Sequence, residues 1–390
     1  MPAFIQDIFI LTKGFLFENW YFFLPLFLTL VFWDFWVNYI RTKFIYNLKW
    51  TTLEVKLPRE ITKSPRAMEI VLNMFHQTKD GNFWEKYWLG FLRPWFSLEI
   101  VGINGEIHFF ICTQSFFRNL IEAQIYAQYP EVEIVEVEDY SKMAFTEGLG
   151  TEWGCFGTEF ELIAEDAYPI RTYVDYGLHE TLTKEEQKSD PMTSFIELLG
   201  SLKEGENIWF QILIRATKKE WRDEGKALID EIMERGKKLA EGEQAKKLSS
   251  GEIEIIKAIE RDVSKLGFDV GIRALYLART DKFNAINISS IIGSMKQYNA
   301  VNLNGFKPAR ATSLDYWWRL KKWREPRMKI KMMDAYRKRS YFYVPYSRKP
   351  FVLNTEELAT IFHFPGRVAE TPTFGRIEAK KGEPPAGLPV

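Results

Sequence analysis

The chain has 390 residues, 46% of them hydrophobic and 27% charged, with a slightly negative mean hydropathy; these values describe a globular protein of two or three domains rather than a disordered one. Two cysteines, Cys112 and Cys155, and four scattered histidines, His76, His108, His179 and His363, exclude a disulfide framework and a cysteine- or histidine-rich metal centre. Net charge is zero, but Lys307–Lys349 carries 14 Lys/Arg against three acids (Asp315, Glu325 and Asp334), which leaves 38 basic and 49 acidic residues elsewhere.

The first element is a membrane span. Trp20–Ile40, WYFFLPLFLTLVFWDFWVNYI, is 21 residues long with one charge, Asp34. At 1.5 Å per residue such a helix covers roughly 30 Å, the hydrocarbon thickness of a bilayer. Trp20 and Tyr21 open it, and Trp33, Trp36 and Tyr39 crowd its end, as two aromatic belts would. Asp34 falls near the second interface, where a charge costs far less than at the bilayer centre. Arg41, Lys43 and Lys49 follow the span, while Lys13 is the one basic side chain before it. The positive-inside bias therefore predicts an N-terminus outside and the bulk of the chain in the cytoplasm, at the inner membrane. Phe4, Ile5, Ile8, Phe9, Phe15 and Leu16 suit a short interfacial helix, so residues 1–49 read as interfacial segment plus anchor.

Residues 50–150 read as an α+β domain. Thr52–Leu57 alternates as a strand, and Ser64-Pro65 starts a helix carrying Met68, Val71, Leu72 and Phe75. An aromatic connector follows: Phe83, Trp84, Tyr87, Trp88, Phe91, Trp95 and Phe96. It fits either core packing or rings resting at headgroup level beside the anchor. Phe96–Val101 and Glu106–Cys112 flank Asn104-Gly105, a hairpin signal. Phe117, Leu120, Ile121 and Ile125 mark a second helix and Glu131–Val137 a fourth strand. The order β-α-β-β-α-β is that of a ferredoxin-like fold.

Residues 151–306 read as a second α+β half. Short strands are expected at Phe160–Ile163 and Arg171–Val174, and a helix at Phe195–Leu202. Ile208–Ala216 and Phe268–Ala278 are apolar strands, and Ala285 to about Asn304 is helical. Between the two strands, Lys218 to about Gly236 and the Ile256, Ile259, Val263, Leu266 repeat suit an antiparallel helical arm. The expected fold is thus a transmembrane helix followed by two ferredoxin-like α/β sandwich halves, the second elaborated with that arm.

Residues 307–366 hold two candidate sites. Trp317, Trp318, Trp323, Tyr336, Tyr341, Phe342 and Tyr343 alternate with Arg319, Lys321, Lys322, Arg324, Arg337, Lys338 and Arg339. Cations interleaved with aromatics suit nucleic acid or anionic lipid, and equally a solvated helix whose aromatic side packs on the body. In LNTEELATIFHFP, Leu353–Pro365, Asn354 or Thr355 caps a helix whose Leu358, Ile361 and Phe362 form one apolar stripe before Pro365 ends it. So short a helix needs burial, either against this chain or against a partner. Residues 367–390, with Pro372, Pro384, Pro385 and Pro389, read as an extended tether.

No Walker A, G-x-G-x-x-G, H-E-x-x-H or G-x-S-x-G motif occurs, so neither catalysis nor a cofactor is expected. Several stretches do resemble a known family: LPRE (Leu57–Glu60), SPRAME (Ser64–Glu69), HFFICTQ (His108–Gln114), EAQIYAQYPEVEI (Glu122–Ile134), AIERDVSKLGFDVGIRALYLA (Ala258–Ala278), NLNGFKP (Asn302–Pro308), EAKKGEPPAGLP (Glu378–Pro389) and above all LNTEELATIFHFPG (Leu353–Gly366). Together they resemble the N-terminal, non-motor region of large membrane-bound ATPases related to type IV secretion and conjugation coupling proteins. The resemblance implies a membrane-anchored assembly module that positions a P-loop ATPase for DNA or protein translocation. The sequence ends at Val390 without a motor, so the ATPase is expected on a separate chain or further along a longer one. In that setting the 353–365 helix would dock on the motor or a neighbouring copy of this chain. The alternative is a membrane-tethered nucleic-acid-binding protein acting through 307–349.

Overall fold

The computed structural model describes residues 19–58, 61, 63–142, 149, 151–179, 189–218, 220–241, 248–313 and 318–366, with backbone alone at 235–241 and 318–323. The proposed interfacial helix before residue 19 and the proline-rich tether from 367 lie outside the described residues. The chain forms two compact units, one from residues up to Leu48 together with Asp80–Leu92, the other from Lys49–Lys79 together with Arg93 onward.

The first unit is built on α1, Trp20–Asn47, 28 residues long and apolar on every side. It is the described helix long and apolar enough to cross a membrane. The short α3, Phe83–Tyr87, belongs to this unit and carries a capping box between Asn82 and Glu85.

The second unit is a mixed α+β body on one antiparallel sheet. Its first half runs β1 (Trp50–Lys56), α2 (Pro65–Met74), β2 (Phe96–Ile103), β3 (Glu106–Gln114), α4 (Arg118–Gln128) and β4 (Glu133–Val137). Its second half runs β5 (Trp153–Leu162), α5 (Thr193–Gly200), β6 (Glu206–Ala216), α6 (Glu220–Glu241), α7 (Ser250–Val263), β7 (Gly267–Arg279), α8 (Ala285–Met295) and β8 (Phe306–Ala309). After them come α9 (Trp318–Arg337), β9 (Phe351–Asn354) and α10 (Thr355–Ile361).

The strand order is β4-β1-β3-β2-β6-β7-β5-β8, with β9 beside the early part of β7. Within each half the sequence order of strands, read inward from the edge, is fourth, first, third, second. The two halves therefore share one connectivity, and they join through their second strands, from Phe96↔Ile214 to Ile103↔Asn207. In the first half the second and third strands form a tight hairpin, with Asn104 and Gly105 at positive φ as a two-residue turn of this hand requires. In the second half the α6–α7 arm occupies that connection. The arm has its own small core of Leu228, Ile229, Ile232, Ile256 and Ile259.

Both sheet faces are covered, which explains why β2, β6 and β7 are apolar without alternation. One face packs against α2, α4, α5, α8 and α10 in the main core. The other face, with Val101, Phe110, Trp209, Leu275 and Leu277, packs against Met332, Met333 and Tyr336 of α9.

Three local expectations need correction. Arg171–Val174 is not a strand: Thr172 N–H donates to the Asp175 carboxylate at 2.9 Å, a side-chain turn that competes with ladder pairing. The short strand expected at Phe160–Ile163 is the end of the ten-residue β5, which pairs with β7 on one edge and on the other with β8, at the start of the basic segment. The helix from Ala285 stops at Met295 and tightens into a 3₁₀ turn, Lys296–Tyr298, well short of Asn304.

Candidate membrane-anchoring site

The first unit presents an unusual surface. Phe22, Leu26, Phe27, Leu30, Phe32 and Phe35 are exposed on all sides of α1. A helix hydrophobic all round belongs in a core or a bilayer, and among the described residues none forms a core around these side chains. Thr29, Asn38 and Thr42 find partners within the helix, as a lipid environment favours. Thr29 Oγ1 donates to Pro25 O and Thr42 Oγ1 to Asn38 O, each at 2.8 Å, and Asn38 Nδ2 donates to Asp34 Oδ2 at 3.1 Å. Trp20, Tyr21, Trp33 and Tyr39 are exposed at the two ends of the apolar stretch, with Trp36 half-buried. Arg41 is half-buried and Lys43 exposed in the turns that follow.

The connector folds back on this second end of the helix. Trp36 Nε1 donates to Tyr87 O at 3.0 Å, and Trp33 lies 5.5 Å from Tyr87 and 5.8 Å from Trp88 between ring centroids. Phe44 meets Phe91 edge to face at 5.7 Å. Gly90 has a positive φ, and a Cβ there would stand 2.4 Å from Ile40 O, so only glycine permits this approach. Packing holds one side of the connector and leaves the other side bare: Phe83 is 65%, Trp84 58% and Leu89 60% exposed. Trp95 and Phe96, the last two rings of the aromatic run, are buried in the body instead.

The basic segment divides along α9. The side chains of Arg319, Lys321 and Lys322 lie outside the described residues. Arg324, Arg327, Lys331 and Lys338 are exposed along the helix, and Arg337 is half-buried. Lys338 pairs with Asp334 at 2.7 Å. Arg339 is a correction: it is 5% exposed and cannot reach a nucleic acid or a lipid. Its Nε donates to Glu99 at 3.1 Å and its Nη1 to Asp139 at 2.5 Å. Burial works against the charge of Asp139, but the hydrogen bond and charge of Arg339 prevail and hold that carboxyl at about 2.

Arg339 closes a polar row that single-residue reading missed. Glu99, Gln211, Arg273 and Glu159 are successive cross-strand neighbours on β2, β6, β7 and β5. All four are buried. Gln211 Nε2 donates to Glu99 at 2.8 Å; Arg273 donates to Gln211 and to Glu159, each at 3.3 Å. Tyr140 donates to Glu99 at 2.7 Å and shares a 2.6 Å hydrogen bond with Tyr336 of α9. A charged or amide side chain near the middle of each of these strands was the available signal. The row fixes where α9 sits rather than offering a site to solvent.

The docking helix is the second correction. Leu358, Ile361, Phe362 and Pro365 are all buried within the body. Phe109 of β3 lies 6.1 Å from Phe362 and 5.6 Å from Phe364, so the stripe expected to face a partner is filled by this chain's own first half. The polar side of α10 binds the second half: Ile170 N–H donates to Glu357 at 2.8 Å, Thr172 Oγ1 to Glu356 at 2.5 Å, and Lys265 pairs with Glu356 at 2.7 Å. A helix engaged on both sides is a core element.

Among the described residues, no group of three or more His, Cys, Asp or Glu is placed to hold a metal ion. The described residues thus form an α+β protein with one helix of membrane-spanning length and apolarity. A family model described as a domain of unknown function, DUF8128, matches residues 44–376, and the chain belongs to that family. Comparison with curated proteins finds no match.

Proposed function

We propose that this protein is a membrane-anchored, non-catalytic assembly module of a type IV secretion- or conjugation-like translocation machinery, positioning a P-loop ATPase at the membrane. The observation that carries the anchoring half of this reading is α1, whose apolar side chains are exposed on every side from Trp20 to Phe35. Arg41, Lys43 and Lys49 favour an N-out, C-in orientation at the inner membrane. The shared connectivity of the two sheet halves supports a pair of ferredoxin-like halves, the second carrying the α6–α7 arm. The assembly half rests on the coupling-protein resemblance. The experiment is affinity purification of the full chain from its native membranes in mild detergent. The reading expects a Walker A-containing ATPase at stoichiometric ratio; purification without any nucleoside-triphosphate-binding partner would contradict it.

One observation supports a second reading. Arg324, Arg327 and Lys331 sit at three- and four-residue spacing on the exposed side of α9, a footprint suited to phosphates. Nucleic acid should then bind with steep salt dependence, and Arg324→Glu with Lys331→Glu should flatten that slope. An unchanged slope would exclude α9 as the contact.

A further inference from the structure

We infer that the connector Asn82–Gly90 is a second membrane-inserting element, a wedge that rests in the interfacial layer of the bilayer. The inference builds on the reading of α1 as the anchor. A hydrocarbon core of about 30 Å takes up roughly 20 residues of helix. Counted from Trp20, that core ends near Tyr39, so Trp36 lies within a turn of its boundary and Trp33 about one turn deeper. The connector is tied to those same residues by the Trp36–Tyr87 hydrogen bond, the Trp33 ring contacts and the Gly90–Ile40 approach. Its depth is therefore set by the helix.

The bare side of the wedge is large and aromatic. Phe83, Trp84, Trp88 and Leu89 are all exposed within seven residues, and Trp84 stacks on Trp88 at 4.9 Å. In water this would be a concentrated apolar patch, whereas tryptophan and phenylalanine at the headgroup boundary are stabilised there. The patch continues the exposed apolar surface of α1, which makes a lipid surface its occupant rather than a protein. The charges agree. Lys43 borders a crevice of about 370 Å³ between the helix end and the connector, lined also by Tyr39, Phe44 and Trp88. The ammonium of Lys43 is placed to reach lipid phosphate while the rings lie below it.

The test uses the full chain in phosphatidylcholine–phosphatidylglycerol vesicles. Single cysteines replace Phe83, Trp84 or Leu89, with Leu28→Cys as the bilayer-centre reference and the fully exposed Val301→Cys as the aqueous reference. The native Cys112 and Cys155 are buried and stay unlabelled in the folded chain. An environment-sensitive fluorophore on each site is challenged with aqueous iodide and with quenchers attached to lipid headgroups or chains. The wedge sites should be protected from iodide at least threefold relative to Val301→Cys, and quenched best from the headgroup position. Wedge sites that behave as Val301→Cys while Leu28→Cys is protected would overturn the wedge and leave the anchor standing. Wedge sites protected from iodide yet unreached by any lipid-borne quencher would place protein there, which also overturns it. If Leu28→Cys itself is open to iodide, the anchor and the wedge fall together.

Discussion

At the scale of single residues, the most consequential side chain is Arg339. It was a candidate contact for phosphate, and it is instead the counter-ion of Glu99 and Asp139 beneath α9. Removing one partner of a buried ion pair leaves an uncompensated charge and costs about 3–5 kcal/mol. Arg339→Leu should therefore lower the unfolding midpoint of the detergent-solubilised chain by several degrees, with little further effect from adding Glu99→Gln. Full additivity of the two substitutions would mean that the residues do not act as a pair. A second residue-scale prediction concerns pH. Burial, opposed by its hydrogen-bond partners, raises the Asp262 carboxyl to about 7, and burial together with Asp262 raises Glu357 as well. Burial works against the His363 imidazolium, but Asp190 at 3.0 Å and the Ala359 carbonyl overcome it and raise His363. Each of these groups holds its proton more tightly folded than unfolded. Each contributes stability that is present below its unfolded pKa and lost as pH rises through the folded one. The chain should thus become less stable between pH 5 and pH 8. Asp262→Asn should flatten that decline and raise the midpoint at pH 8, measured by thermal unfolding across the range; a steeper decline in the variant would contradict the assignment.

At the scale of elements, the legible parts were those governed by local chemistry. Asn104-Gly105 marks the β2–β3 turn, and Ser64-Pro65 marks the start of α2. The apolar runs of β6 and β7 were read within two residues of their ends. What escaped was set by distant partners. The four residues of β8 carry Lys307 and Pro308, poor strand formers, and exist as a strand because β5 offers an edge. The stripe on α10 was legible as apolar, but no periodicity could tell whether its cover was Phe109 of the same chain or another molecule. The α6–α7 arm was expected from its heptad-like spacing, and one glycine governs how closely its helices cross. A Cβ on Gly225 would stand 2.3 Å from Val263 Cγ1. Alanine is the better helix former by about 1 kcal/mol. Gly225→Ala should nevertheless loosen the arm, seen as faster amide hydrogen exchange in α6 and α7. Slower exchange would show that propensity outweighs the lost contact.

At the scale of the whole molecule, the described residues combine a long apolar helix with a body on a nine-stranded sheet. The long apolar helix was legible from its length and composition, although it runs seven residues past Ile40 to Asn47, because a span must meet the constraints of length and apolarity alone. The connector was legible as aromatic, with a place beside the apolar helix as one of two readings, but the contact that fixes it, Gly90 approaching Ile40 some fifty residues earlier, was not. In the body, the duplicated connectivity depends on strand pairing that no single segment encodes. The most direct test of the central claim is carbonate extraction of membranes holding the full chain, compared with a chain lacking residues 20–40. The account predicts that the full chain stays with the membrane pellet at pH 11 and that the deletion is released. Release of the full chain into the supernatant would contradict it.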